Sequence, residues 1–454
     1  MNRIRPMLLL LLTFRLLALP VTVAAAETET GSLSLDDAVR IGLEKSRALE
    51  IARLDRDMAR QKIRETWSGV LPQVTTSFTY TRTLKPSVLL FPPGQGLPTT
   101  LETSSDNAGH ASLDVRQPLF NMSAIAGIKA AGIVRSMSEE AYRTAEAAVV
   151  ADIKISYFDA LISKEQLKLI EQSIARWEQS RKDTRAMFQQ GVAADIDTLK
   201  AFLSVENLRP DLLQAENRVV TTMTKLKNSM GIPADSSVVL GGKLGLSSAT
   251  YPLDIAAAYR EALDARPDLH LLDLQVKAEG EKINAVRAEG FPVISAFGKL
   301  ESQTAFNDNV HASDSVWPAS SSAGIQFTLP LFTGYRTSSQ VAQARIAQLQ
   351  TRTRVEELKA NIRAEVEVRV LNFRESQKRI EVQSQTISVA ERSYNISLLR
   401  FREGIGSRLE LTDAELQLNK AKTNYLQAVY DYLVASTQLE KALGRRRVEA
   451  ATPG

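Results

Sequence analysis

LTDAELQLNKAKTNYLQAVYDYLVASTQLEKA, running from Leu411 to Ala442, places Leu411, Ala414, Leu418, Ala421, Tyr425, Ala428, Tyr432, Ala435, Leu439 and Ala442 at unbroken steps of three and four. That spacing is a heptad seam, the mark of a long helix buried along one stripe. Leu or Tyr alternates with Ala, so a large side chain meets a small one at each layer and neighbouring helices approach closely. Just upstream, Phe401-Arg-Glu-Gly404-Ile-Gly406-Ser supplies two glycines where one helix must stop and another start. A long antiparallel coiled-coil hairpin with a tight end is expected.

The same hairpin occurs earlier in the chain. Shifted back by 213 positions, Gly404 becomes Gly191 and Gly444 becomes Gly231. The seam then maps onto Thr198, Ala201, Val205, Leu208, Leu212, Ala215, Val219, Thr222, Leu226 and Ser229. Gln117-Pro118-Leu119-Phe120 answers Leu329-Pro330-Leu331-Phe332, and Leu35-Asp36 answers Leu253-Asp254. A repeat of this length predicts two copies of one structural unit. The expected boundaries are 27–231 and 252–444, a Gly- and Ser-rich linker at 232–251, and a short tail at 445–454.

Each copy begins with a helix, the first over about Leu33 to Gly69, and then changes period. Val74, Thr76, Phe78 and Tyr80 fall on one side of an extended run, with Thr75, Ser77, Thr79 and Thr81 on the other. After a Pro- and Gly-rich loop, Leu84 to Gly109, the residues Ala111, Leu113 and Val115 alternate with Ser112, Asp114 and Arg116. The second copy repeats this at Val293 to Leu300 and at Ala323 to Leu329. Alternation alone fits either a small soluble sheet or membrane strands facing lipid on one side and water on the other. Four strands cannot close a barrel around a lumen, and an open edge in lipid leaves backbone groups unpaired, so a barrel would have to be shared between chains. From Met122 to about Gln190, and from Gly334 to Glu403, the pattern is helical, and each helix would extend about 100 Å. Pro210 predicts a local kink in the first return helix.

Composition narrows the function. Residues 1–26 carry Arg3 and Arg5, an apolar run from Met7, and Ala24-Ala25-Ala26, and read as a secretory signal. The formal net charge is +4, and Arg3, Arg5 and Arg15 of that segment supply three of those charges, so nucleic acid is not an expected partner. There is no Cys, which excludes disulfides and lipidation on a cysteine. The three histidines, His110, His270 and His311, pair with no nucleophile and show no metal-ligand spacing, and no phosphate loop or dinucleotide fingerprint is present. Neither an enzyme nor a cofactor is expected.

The double unit, the Pro-Leu-Phe after a short strand, the Gly-containing hairpin with an acid six positions on, and the ending Tyr430-Asp-Tyr-Leu-Val-Ala-Ser-Thr-Gln-Leu-Glu-Lys-Ala-Leu-Gly444 together resemble the outer membrane efflux protein family, the TolC-like channels. The resemblance covers essentially all of the chain beyond residue 26. It implies a mainly α chain with a small β-barrel portion: two tandem repeats, four strands per chain, and a homotrimer sharing a 12-stranded barrel above an α-helical tunnel. It implies a passive exit duct for efflux or type I secretion, set in outer membrane lipid and reaching into the periplasm, with a periplasmic adaptor and an inner-membrane transporter as partners. The alternative is a soluble periplasmic coiled-coil scaffold or adaptor.

By the same resemblance the hairpin turns carry the sites. Asp197 matches the family's acidic position, Glu410 is its equivalent in the second copy, and Asp413 also matches. The linking positions hold Phe401 and Gly406 here, where the family prototype has Tyr and Arg, and Arg408 is the substitute. Ordinary helix capping is the plain alternative for the acids. Gly191, Val192, Ala193, Gly404, Ile405 and Gly406 would form the tips where an adaptor docks. Phe78, Tyr80, Phe297, Phe327 and Phe332 would anchor the barrel at the lipid interface, although Phe332 also suits filling the corner between strand and helix.

Overall fold

In a computed structural model, residues 32–90, 100–242, 244–245, 251 and 254–445 are described; the expected signal segment and nearly all of the tail lie outside them. The elements run α1 (Leu35–Lys45), α2 (Arg47–Trp67), β1 (Gln73–Arg82), β2 (Val88–Leu90), β3 (Thr100–Glu102), β4 (Asn107–Phe120), α3 (Met122–Gln189), α4 (Asp195–Glu206), α5 (Arg209–Met230), α6 (Ile255–Ala265), α7 (Pro267–Ala288), β5 (Val293–Phe306), β6 (Ala319–Thr328), α8 (Arg336–Arg402) and α9 (Arg408–Ala442). The chain is mainly helical with few strands. The 68 residues of α3 and the 67 of α8 make rods about 100 Å long.

Three local features differ from expectation. The opening helix is two helices, broken at Ser46, which is extended (ψ 124) and buried. Gly231, at φ +75, packs on this break so closely that a Cβ there would sit 2.1 Å from the Lys45 carbonyl oxygen. The corresponding break at Arg266 (ψ 120) has a local cause, because Pro267 follows and drives its predecessor out of the helical region. At Pro210 the return helix is interrupted, with α4 ending at Glu206 and α5 beginning at Arg209 while Asn207 and Leu208 stay in the right-handed region, so Pro210 occupies the first turn of α5, where its missing N–H costs nothing. The equivalent stretch of α9 is continuous. Finally, the loop from Leu84 holds the small β2–β3 hairpin and the first residues of β4.

The four long strands form one antiparallel sheet in the order β1-β4-β5-β6. Its centre is the β4–β5 ladder, which pairs Asn107 with Phe306 and Arg116 with Phe297, joining segments nearly two hundred residues apart. Register sorts the side chains into two faces. Thr75, Ser77 and Thr79 share a face with His110, Ser112 and Asp114, and with Lys299 and Glu301; Val74, Phe78, Leu113, Val115, Leu300, Ile325 and Phe327 lie on the other.

The main core lies where α1, α3, α5, α6, α8 and α9 meet. It is built on Ile153, Tyr157, Leu226, Met230, Val366, Val370, Phe373, Tyr432 and Leu439. Tyr251 packs edge-on against Phe373 with ring centroids 4.8 Å apart. Of the seam that opens the sequence reading, every member is buried except Tyr425, which is half-buried. A second seam is not covered: Val368, Leu371, Val382, Val389, Ile396 and Leu399 on α8 are all about half exposed or more.

Between α3 and α9 the apolar packing is interrupted by a buried polar layer. Glu415, 2% exposed, accepts from Arg176 Nε (2.8 Å), Ser173 Oγ (3.3 Å) and Asn419 Nδ2 (3.1 Å). Arg176 also donates to Asn419 Oδ1 (2.8 Å), and Asn419 donates to Ser173 Oγ (2.7 Å). A buried ion pair of this kind stabilises little, yet removing one partner strands the other. Glu415→Ala is therefore expected to cost about 3–5 kcal/mol of stability, and Glu415→Leu combined with Arg176→Leu much less than the sum of its parts, in chemical unfolding of detergent-solubilised protein. Additive effects would contradict the layer. Thermal melting provides a second check. Gly231→Ala meets both the positive-φ cost of roughly 1–2 kcal/mol and a backbone collision, whereas Gly191→Ala, with open space around it, meets only the first. Gly231→Ala should be clearly the more destabilised variant.

Candidate functional site

The two hairpin ends have the same backbone design. In the first, Gly191 (φ +76) follows α3, and the N–H groups of Val192 and Ala193 both return to the Met187 carbonyl, at 2.9 and 3.3 Å. In the second, Gly404 (φ +73) follows α8, and the N–H groups of Ile405 and Gly406 return to the Arg400 carbonyl, at 3.0 and 2.9 Å. Only a residue without Cβ adopts this conformation freely, and these bonds satisfy the carbonyls that a helix end leaves unpaired. Val192 and Ile405 project at the tips, 67% and 72% exposed.

A cavity of about 610 Å³ opens between the two ends and brings most of the anticipated residues together: Asp197, Phe401, Gly404, Gly406 and Arg408 line it, along with Val192 and Ala193. Asp197 sits in the first turn of α4 and its Oδ2 accepts from the Ala194 N–H at a long 3.4 Å. Phe401 is buried at the end of α8. Arg408 opens α9 and is buried too, with Nη1 donating to Thr184 Oγ1 on α3 at 2.9 Å. Burial pushes the Arg408 guanidinium below the usual arginine range, and the field of Asp197 opposes that shift. Glu410 lies off the cavity, its N–H capped by Ser407 Oγ (3.1 Å) and its carboxylate 3.5 Å from Arg400 Nε. Asp413 is exposed one turn further along α9. A second contact ties the hairpins together at this end, Arg402 Nε to Asp183 Oδ2 at 3.5 Å.

Sequence reasoning named Arg408 as the substitute linking residue but passed over its partner Thr184 and over Glu415. The signal was present in the spacing: Arg408, Leu411, Glu415 and Leu418 follow each other at steps of three and four, so two charged residues share the apolar stripe of α9.

Among the five aromatics, Phe78, Tyr80 and Phe327 share the apolar face and are 68%, 55% and 60% exposed. Phe297 does not join them. Its register against Arg116 and Gly324 sets it on the polar face, on the same side of β5 as Lys299 and Glu301. Phe332 is 79% exposed beyond β6 and packs edge-on against Tyr335, so it does not fill the corner.

Comparison with known proteins adds the family. Residues 39–232 and 258–445 match the sequence model described as outer membrane efflux protein. The chain is 26% identical over 314 residues to the toluene efflux pump outer membrane protein TtgC of Pseudomonas putida, a match covering 68% of this chain and 62% of TtgC. It is 21% identical over 336 residues to the outer membrane protein TolC of Vibrio cholerae, covering 74% of this chain and 76% of that protein. The fold is similar to the crystal structure of CusC, with a TM-score of 0.72 at 21% identity, over 91% of this chain and 92% of that one. With two matched segments spanning most of its length, the chain belongs to the outer membrane efflux protein family.

Proposed function

We propose that the chain is one protomer of a homotrimeric outer membrane channel with a periplasmic tunnel, a passive exit duct rather than an enzyme. The observation that carries this reading is the sheet. It has one apolar and one polar face and two outer strands of ten residues each, β1 and β6, whose far edges pair with nothing among the described residues. Among those residues no helix is long and apolar enough to cross a membrane. Strands of this length suit a bilayer crossing, and edges of this kind survive in lipid only by pairing with another chain. Three chains would supply twelve strands and close one barrel. The half-exposed apolar seam of α8 supports the same assembly, because a tunnel wall needs a second helical neighbour on its uncovered side.

On this reading 27–231 and 252–444 are tandem repeats, each supplying two strands and one hairpin, and 232–251 lies at the tunnel's waist. Residues 1–26 act as the export signal and 445–454 as a short tail. Phe78, Tyr80, Phe327 and Phe332 meet lipid, and Phe297 faces the lumen. The tips at Gly191, Val192, Ala193, Gly404, Ile405 and Gly406 receive a periplasmic adaptor, which couples the duct to an inner-membrane transporter. Asp197, Glu410 and Asp413 recur by symmetry around the tunnel end, where like charges attract cations and repel anions.

Light scattering of the detergent-extracted protein, corrected for bound detergent, should return three times the mass of the processed chain. A monomer at every detergent concentration would contradict the shared barrel and leave the scaffold reading. In planar bilayers, Glu410→Ala with Asp413→Ala should raise anion passage relative to cation passage; unchanged selectivity would remove those acids from the pore.

A further inference from the structure

The two return helices start alike and are held differently. Residues 195–206 and 408–419 occupy the same positions of the repeat, 213 apart, each four residues past a turn glycine. In α9 this segment buries Arg408, Leu411, Ala414, Glu415 and Leu418, and Arg408, Glu415 and Asn419 bond to Thr184, Arg176 and Ser173 of α3. In α4 it buries Ala201 and Val205 alone, and Ile196, Leu199, Phe202 and Leu203 are each about half exposed. Hydroxyls of α4 are spent inside it, Thr198 on the Asp195 carbonyl and Ser204 on the Lys200 carbonyl. Asp197 acts on Arg408 across the cavity through its field, without a bond. Among the described residues no hydrogen bond or ion pair joins a side chain of α4 to α3 or α9. A helix of 12 residues depends on packing for its stability, and α4 has little.

Both ends of α4 are points of bending. Gly191, at φ +76 with open space around it, lies at one end. At the other, Pro210 has no N–H to offer the Glu206 carbonyl, and Asn207 and Leu208 stand between the two helices. The ion pair that spans the interruption, Arg209 Nε to Glu206 Oε2 at 2.9 Å, is exposed and holds little. There is room to move on the α9 side. The cavity of about 610 Å³ carries Leu203 of α4 and Leu409 of α9 on its walls, and a second of about 420 Å³ lies beside the break, lined by Leu208, Asp211, Ser173 and Asn419. Closing the first would bury both leucines, each more than half exposed as the helices stand. We propose that α4 is a hinged flap that turns about Gly191 and the Asn207–Leu208 break and shuts against the first turns of α9, while α3, α8 and α9 stay in place. Its effect rests on the channel reading: the first hairpin is then the movable part of the tunnel end, and closing α4 onto α9 changes the aperture there.

Hydrogen exchange followed by mass spectrometry on the full chain in detergent tests the flap independently of conduction. After correction for intrinsic rates, amides of 195–206 should exchange at least roughly tenfold faster than those of 408–419. Pro210→Ala restores the missing donor, and should slow exchange in 195–206 while leaving 408–419 unchanged. Because the chain has no cysteine, cross-linking gives a second readout. Leu203→Cys with Leu409→Cys should form a disulfide within one chain under mild oxidation, and Leu199→Cys with Leu409→Cys, whose first partner lies off the cavity, should not. Equal exchange in the two segments, no response to Pro210→Ala, or no disulfide between positions 203 and 409 would each overturn the flap. In planar bilayers, oxidation of the Leu203→Cys, Leu409→Cys chain should shift its single-channel conductance, and reductant should restore it; an unchanged conductance would overturn the effect on the aperture. Absence of any conductance in the unmodified chain would count against the channel reading instead, with exchange and cross-linking still deciding the flap.

Discussion

A β-strand edge carries a row of N–H and C=O groups that hydrocarbon cannot satisfy, and each group left unpaired there costs several kcal/mol. On the reading proposed above, that constraint governs this molecule. Its sheet puts the two fourteen-residue strands, β4 and β5, in the middle and the two ten-residue strands, β1 and β6, outside. The central ladder joins the first half of the chain to the second, so the sheet cannot form until both halves are in place. In water the outer edges would be solvated; in lipid they would demand partners, which the proposed trimer would supply by symmetry.

The helices obey a related rule. Rods about 100 Å long cannot be buried in one globule, so each leaves a stripe for something else to cover. On α9 the stripe is covered within the chain, by α8 and α3, with Glu415 and Arg176 as the polar layer that penalises a slipped register. On α8 the far stripe remains open. Both hairpins end in the same glycine turn, and between those turns the apolar packing gives way to a cavity with Arg408 at its wall. The mid-helix layer and the end cavity both place charged side chains inside the coiled coil, at Glu415 and at Arg408.

Much of this was legible from the chain. The Leu/Ala alternation along α9 stated the seam, and the 213-residue shift announced that α4 and α5 would answer it. The answer is looser because the first copy holds Thr198, Thr222 and Ser229 where α9 holds Leu411, Ala435 and Ala442, and Pro210 ends a helix that α9 continues. Other features lay beyond local reading. The break at Ser46 packs against Gly231, which only tertiary packing brings near. Phe297 was grouped with the other strand aromatics by residue type; Ile294, Leu300 and the charged pair Lys299 and Glu301 define the faces of β5, and its register puts it with the charges. Arg408 was named for its linking position alone, and its place in the stripe with Leu411 and Glu415 is what points it inward.

The central claim, that β1 of one chain pairs with β6 of another, is open to direct chemistry because the chain contains no cysteine of its own. Single cysteines scanned along the outer positions of β1, combined with one on β6, should form disulfides between chains in intact outer membranes, at a subset of positions with the two-residue period of a ladder, and the cross-linked species should stop at the trimer. Cross-links confined within single chains, or none at any register, would contradict the account.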